Sequence, residues 1–459
     1  MLILLLTYYL AQSAHSEAGP IPASIDVRDV ASCDGQYSQR SLANIVWSCL
    51  STIFLCTWVA VHPNVHFRAE KQTERWTEKW LWDPLLEIAT YKLPLFLWAL
   101  LVPEYILAWA ARQYIQAGVI REKGKLPGWK RTHGHFMIMG GFHLFRLPDN
   151  APSVPLPLGS LEPSEFVIPS SRHSRIHEIP VCPLTFKDVP VDVLEIIAPT
   201  ETELKDRGKS DVLTKIIVLV QTLWFVIQCI ARGSQRLPLT ELEVVTLAYA
   251  TLNFFIYAFW WDKPRNVECP VRVYKTSMVS NKESEGQLEE WGGNWASRGV
   301  QKILIYSIGG QDSYVKISEK HSIPMFWSGG TGANLTNAGL GSSILGSAFG
   351  AIHCIAWSSE FPSRPELVLW RISCVSMIIV PFLVAIICAL IMAYQQMENE
   401  ELPWWMVAIF VPCVILLFLS AWLYIASRIA TLVIAFTNLR SLPLAAFTSV
   451  DWTTFIPHI

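Results

Sequence analysis

The stretch LPLFLWALLVPEYILAWAA, residues 93–111, decides what kind of chain this is, because it carries a single charged side chain, Glu104. A helix rises about 1.5 Å per residue, so about 20 mostly apolar residues cross a hydrocarbon core about 30 Å thick. Six further runs approach that length: 42–61, 212–231, 243–261, 342–357, 372–394 and 404–426. The last apolar run continues to Leu439, too far for one upright crossing, so its tail SRIATLVIAFTNLR is expected to bend or lie at the interface. The expected fold is an all-α membrane protein. It is a bundle of about seven transmembrane helices with two long irregular loops, 112–211 and 262–341, on one side.

Composition points the same way. Of 459 residues 52% are hydrophobic and only 16% charged, and the 20 tryptophans suit membrane–water interfaces. A net charge of −2 gives no polyanion-binding footprint, which argues against nucleic acid. The glycine-rich SGGTGANLTNAGLG, 328–341, lacks the Gly-Lys-Ser/Thr ending of a phosphate loop and reads as a flexible entry to a span. No dinucleotide fingerprint or metalloprotease motif is present, so neither a nucleotide nor a cofactor is expected, and membrane lipids are the implied partners.

Residues 1–18 hold about ten apolar residues followed by a small-x-small site at Ala11–Ser13, the length of a signal-peptide core or a hydrophobic tail. The remainder, 19–459, reads as one multi-pass domain of the secretory pathway or plasma membrane. FRAEKQTERWTEKWLWDP, 67–84, reads as an amphipathic surface helix. Ten prolines between 148 and 200 predict an irregular loop, and ILIYSI, 303–308, is strand-like. Thr200–Glu203, Thr240–Glu243 and Ser363–Glu366 have capping-box spacing, which makes those three glutamates caps rather than catalysts.

Alternating seven spans places the N-terminal tail and both long loops on one side. A signal peptide makes that side lumenal, and so does the sequon Asn334-Leu335-Thr336. The cluster Arg112, Arg121, Lys123, Lys125, Lys130 and Arg131 makes the same side cytosolic by the positive-inside rule. The two cues conflict. On the lumenal reading Cys182 and Cys269, in the similar contexts PVCPL and VECPV, are the favoured disulfide.

Few residues suggest chemistry. An ionised group near mid-span costs about 2.5–3.5 kcal/mol on insertion scales, so Glu104 should face a partner or a wet cavity. His353, deep in FGAIHCIAW, is the second such point. KRTHGHFMIMGGFHLF, 130–145, holds His133, His135 and His143. If this segment is helical, His135 and His143 lie about 12 Å apart along the axis, too far to share one zinc ion. It is therefore read as a membrane-associated hairpin or half-helix with no metal. Ser342, Gly346 and Gly350 recur every four residues, the spacing that lets helices approach closely in lipid.

Several of these phrases, among them WSCLSTIFLCTWVAVHPN, VPEYILAWAARQ, THGHFMIMGGF, WWDKPRNVECPV, FGAIHCIAW and DWTTFIPHI, resemble a large family of uncharacterised multi-pass membrane proteins of filamentous fungi and mushrooms. The resemblance runs nearly the whole chain in order. It implies a membrane bundle and no particular activity. His133 falls within the recurring Thr-His-Gly phrase, whereas His135 stands where an aromatic residue is usual and His143 lies outside it. Glu104 and His353 lie within matching phrases. The expected function is that of an integral membrane conduit, sensor or scaffold. The alternative is a membrane-embedded enzyme on a lipid or terpenoid, with Glu104 and His353 as acid–base groups.

Overall fold

The computed structural model describes residues 39–66, 83–147, 153–157, 166–170, 179–208, 211–275, 312, 315–329, 334–395 and 404–452. The N-terminal segment 1–18, nearly all of the amphipathic stretch 67–84 and the strand-like 303–308 lie outside the described residues.

The chain is mainly helical. In order come α1 (Leu42–Phe54, prolonged by a π-helical turn Leu55–Val59), α2 (Asp83–Glu87), a π-helical turn Ile88–Lys92, α3 (Leu93–Leu101), α4 (Pro103–Gly124) and α5 (Arg131–Ile138). Strands β1 (Phe142–Arg146), β2 (Ser153–Pro155), β3 (Phe166–Pro169) and β4 (Ile179–Pro183) follow, then α6 (Val191–Ile197), α7 (Glu201–Arg207), α8 (Asp211–Ser234) and α9 (Glu241–Phe259). The described chain ends with β5 (Val271–Lys275), α10 (Asn334–His353), α11 (Arg364–Gln395) and α12 (Trp404–Thr437). Six helices are long and apolar enough to cross a membrane, or seven if the bent pair Leu85–Leu101 and Pro103–Gly124 counts as one span.

That pair departs from the straight helix expected over 93–111. The helix axis bends by 108° between the two arms. Proline lacks an N–H and pushes its predecessor out of the helical region; accordingly Val102 sits at φ −138°, ψ 64° and Pro103 opens a new helix. Both arms return to the same end of the bundle. The Tyr91 hydroxyl donates to the Asn64 carbonyl at 3.2 Å, and Gln113 Nε2 donates to the Asn64 side-chain oxygen at 3.0 Å. At the opposite end Arg40 pairs with Glu243, and its backbone N–H donates to the Phe447 carbonyl at 2.8 Å.

The two long segments expected as irregular loops instead build one five-stranded sheet, ordered β2-β3-β5-β1-β4. β5 enters from the second segment to lie parallel to β1, with Phe142 opposite Val271 and Arg146 opposite Lys275, and antiparallel to β3. Phe136, Phe142, Leu184, Val193, Leu204, Val273 and Trp327 share a core beneath it. A separate core inside the bundle gathers Trp109, Leu252, Trp260, Phe349 and Trp370. The fold is thus a helical bundle with a small mixed sheet at one end.

Three smaller expectations also change. The tail of the last apolar run does not bend: α12 is one helix of 34 residues, about 51 Å long against a core of about 30 Å. Asn334 opens α10, so the second half of the glycine-rich entry is helical. Thr200 and Thr240 form full capping boxes with Glu203 and Glu243, but Ser363 makes only its own half. Glu366 turns instead to Arg440 at 3.0 Å. The four-residue spacing in α10 does bring helices together. A Cβ at Gly350 would sit 2.6 Å from the Met377 backbone, and one at Gly346 would sit 2.8 Å from Glu104 Cγ.

Candidate functional site

The break at Pro103 dictates the chemistry around it. Pro103 supplies no N–H, and that of Tyr105 goes to the Val102 carbonyl. The Leu100 and Leu101 carbonyls therefore look outside the helix, and away from water an unsatisfied polar group costs several kcal/mol. The Tyr249 hydroxyl from α9 donates to Leu100, and Arg428 Nε from α12 donates to Leu101 at 3.2 Å. Arg428 is 2% exposed. Its guanidinium lies 3.8 Å over the Phe349 ring and donates to the Tyr249 oxygen at 3.4 Å.

Glu104 occupies the first turn of α4 rather than mid-span. Its Oε1 accepts from the Tyr424 hydroxyl at 2.5 Å, one helical turn before Arg428 on α12. Its Oε2 has no hydrogen-bond partner among the described residues. Arg428 is the cation acting on this carboxylate, although the two form no ion pair within 4 Å among the described residues. Arg112, two turns further along α4, takes no part: its Nε returns to the Ala108 carbonyl at 3.4 Å.

His353 borders the same cluster without touching Glu104. Its ring lies 4.8 Å from that of Phe349, which separates it from the guanidinium, and its Nδ1 meets the Phe349 carbonyl at 2.9 Å. The Trp370 indole donates to the His353 carbonyl at 3.3 Å. The two residues singled out in the sequence are therefore neighbours of one buried arginine that the sequence reading passed over. An arginine inside an apolar run, with a tyrosine four residues before it, was the available signal.

The three histidines do not converge. The segment is a short helix, a glycine turn and a strand, and Phe136, Met137, Ile138 and Phe142 share the core beneath the sheet. His133 on α5 is a tie: its Nδ1 accepts from the Lys130 N–H at 3.1 Å, so its Nε2 carries the proton and donates to Pro199 at 3.1 Å. Burial lowers its pKa and keeps it neutral, as this pattern requires. His135 is 1% exposed; burial first, then the charges of Lys263 and Arg131, hold its pKa well below the usual value. Neither of its ring nitrogens has a hydrogen-bond partner among the described residues. His143 lies on β1, where burial lowers its pKa to about 4. Among the described residues no three histidine, cysteine or acidic side chains stand close enough to hold a metal.

A second buried cation ties the chain after α9 to α4 and to the segment after α1. Lys263, 1% exposed just beyond α9, donates to the His62 carbonyl at 2.5 Å, to Gln113 Oε1 at 2.9 Å and to Asn64 Oδ1 at 3.3 Å. The indoles of Trp109 and Trp260 lie 4.8 and 4.7 Å from the ammonium. Burial pushes its pKa well down. Three neutral acceptors and two aromatic faces oppose that shift, because three N–H donors exist only on the ammonium. The Trp327 carbonyl completes the knot, accepting from Asn64, Trp109 and Gln113. These residues sit in phrases already quoted, HPN, AWAARQ and WWDKP, yet a lysine after a span reads in sequence as a surface charge.

Cys182 is buried on β4 and Cys269 is exposed, and both are free thiols, so the favoured disulfide is not formed. Two surface clefts, one beside His133 and Glu201 and one beside Lys92 and Arg265, reach neither Glu104 nor His353.

Residues 191–281, which run from α6 to just beyond β5, match the model of a family of unknown function (DUF8562). Tyr249 and Lys263 fall inside that match, and Glu104, His353 and Arg428 outside it. No curated protein and no solved structure matches the chain.

Proposed function

We propose that the chain is an integral membrane scaffold: six helices cross the bilayer, a re-entrant V dips into it from one face, and the sheet-bearing segment is held at that face. The observation that carries this reading is the shared hydrogen-bonding of Tyr91 and Gln113, from the two arms of the bent pair, to Asn64. A seventh crossing would put Asn64 and Gln113 at opposite ends, but their side chains are 3.0 Å apart. The buried polar groups serve cohesion. Glu104, Tyr249 and Arg428 each bond a neighbouring helix, which favours a scaffold over a conduit or a lipid-directed enzyme.

Six crossings also reconcile the orientation cues. The N-terminal end at Arg40 then lies opposite Arg121, Lys123, Lys125, Lys130 and Arg131, so a lumenal N-terminus and a cytosolic basic face no longer conflict. The sheet becomes cytosolic, where thiols such as Cys182 and Cys269 stay reduced and Asn334 escapes glycosylation. The scaffold role predicts that Glu104→Gln and His353→Phe, each verified as folded, support the wild-type phenotype in the source cell. Loss of phenotype in either folded variant returns the site to a conduit or acid–base role.

A further inference from the structure

We infer that the cleft between the end of the first span and the outer arm of the V is a binding site for the phosphate headgroup of an anionic glycerophospholipid. The inference rests on the membrane reading proposed above.

The cleft offers about 180 Å³, too little for a whole drug-sized ligand but room for a phosphate group. Its walls are of two kinds. Trp58, Ile88, Leu95 and Phe96 supply an apolar floor, with Trp58 and Phe96 in edge contact at 5.6 Å between ring centroids. Lys92 and Arg265 supply two cations at the rim. A guanidinium matches phosphate geometry with paired donors, and a lysine adds a mobile point charge.

Arg265 is pre-positioned by its neighbours. Two residues earlier Lys263 is locked in its cage, and two residues later Val267 is 6% exposed in the core beneath the sheet. Between them the chain turns through Asn266 at φ +54°. The arginine is therefore presented from a pinned turn, which lowers the ordering cost of binding. Lys92 is held at 3.0 Å by Glu87, its one partner among the described residues. Both members of that pair are partly exposed, so a phosphate at the rim meets two remaining N–H donors and a carboxylate that can swing to water.

The level and surroundings fit a lipid better than a free anion. Trp58 and the 53% exposed Trp261 mark the ends of α1 and α9 on this face, where indoles settle at headgroup depth. Beyond the cleft, Leu93 and Leu97 on α3 are 42% and 45% exposed, an apolar track on which acyl chains can lie. In the proposed orientation this is the cytosolic leaflet, the one that carries anionic lipid.

The test uses the full chain in phosphatidylcholine nanodiscs, titrated with a fluorescent phosphatidylserine analogue and, separately, a phosphatidylcholine analogue. Phosphatidylserine is expected to bind in preference. Arg265→Gln and Lys92→Gln, both on the rim, should each weaken it about fivefold, and the double variant about 25-fold, with unchanged melting. Equal binding of the two lipids, or an unchanged affinity in the folded double variant, overturns the site. So does displacement by inorganic phosphate at the concentration at which the lipid binds, since the apolar floor would then contribute nothing. Failure of the protein to enter nanodiscs, with solubility in plain buffer, would instead remove the membrane reading itself.

Discussion

Replacing Arg428 by methionine should destabilise the bundle by about 3–5 kcal/mol, the usual cost of removing one member of a buried charged network. Three things are lost together. The Leu101 carbonyl, left over from the helix break, loses its donor; Tyr249 loses a charged neighbour; and the Glu104 carboxylate loses a nearby cation. The last contribution can be isolated. Glu104→Gln removes the charge yet keeps an acceptor for Tyr424, so in its background the Arg428→Met change should cost about 1–3 kcal/mol less. Unfolding in mixed micelles, read by far-UV circular dichroism, measures all four corners of that cycle. Strict additivity would mean that Arg428 serves only the freed carbonyl and that its proximity to Glu104 is incidental.

Lys263→Glu should be worse, costing more than about 4 kcal/mol, in the range where burial of an unpaired charge defeats folding. The cage offers oxygens from His62, Gln113 and Asn64 and two electron-rich ring faces. A carboxylate there meets acceptors on every side. Lys263→Met keeps much of the stem and drops only the head, so the main penalty is the His62 carbonyl stripped of its donor. That places it near 1–3 kcal/mol. Lys263→Arg is not a conservative rescue, because a planar fork cannot address three acceptors grouped around a point. Folded-protein yield and melting midpoint of the three variants give the ordering: methionine mildest, glutamate most severe. A glutamate variant as stable as wild type would show that this lysine does not sit in a dry cage.

The helices long and apolar enough to cross a membrane were legible because an apolar run of about 20 residues stands out in sequence. What the runs did not reveal was how they bend. Val102-Pro103 carried the information, since a proline and its predecessor both resist the helical interior. Its weight was masked by the unbroken hydrophobicity on either side. The same hydrophobicity hid Arg428: a long apolar tail invited an interfacial reading, in which an arginine is unremarkable.

The sheet was illegible for a different reason. Its strands run three to five residues, and β1 pairs with a partner about 130 residues away across α8 and α9. No local pattern specifies such a pairing. Glu104 and His353 were visible as polar atoms in apolar surroundings, which located the cluster but not its centre. His135, doubtful as a ligand by spacing, proved to be a buried neutral ring on the far side of a glycine turn from His143.

Counting crossings tests the whole arrangement most directly. A cysteine placed at Ala43, exposed at the start of α1, and the native exposed Cys269 can be probed with a membrane-impermeant maleimide in sealed vesicles of uniform orientation. Six crossings with a re-entrant V put these positions on opposite faces, so only one should react before the membrane is opened. Seven crossings put them on the same face. Equal labelling, or equal protection, of both thiols would contradict the account.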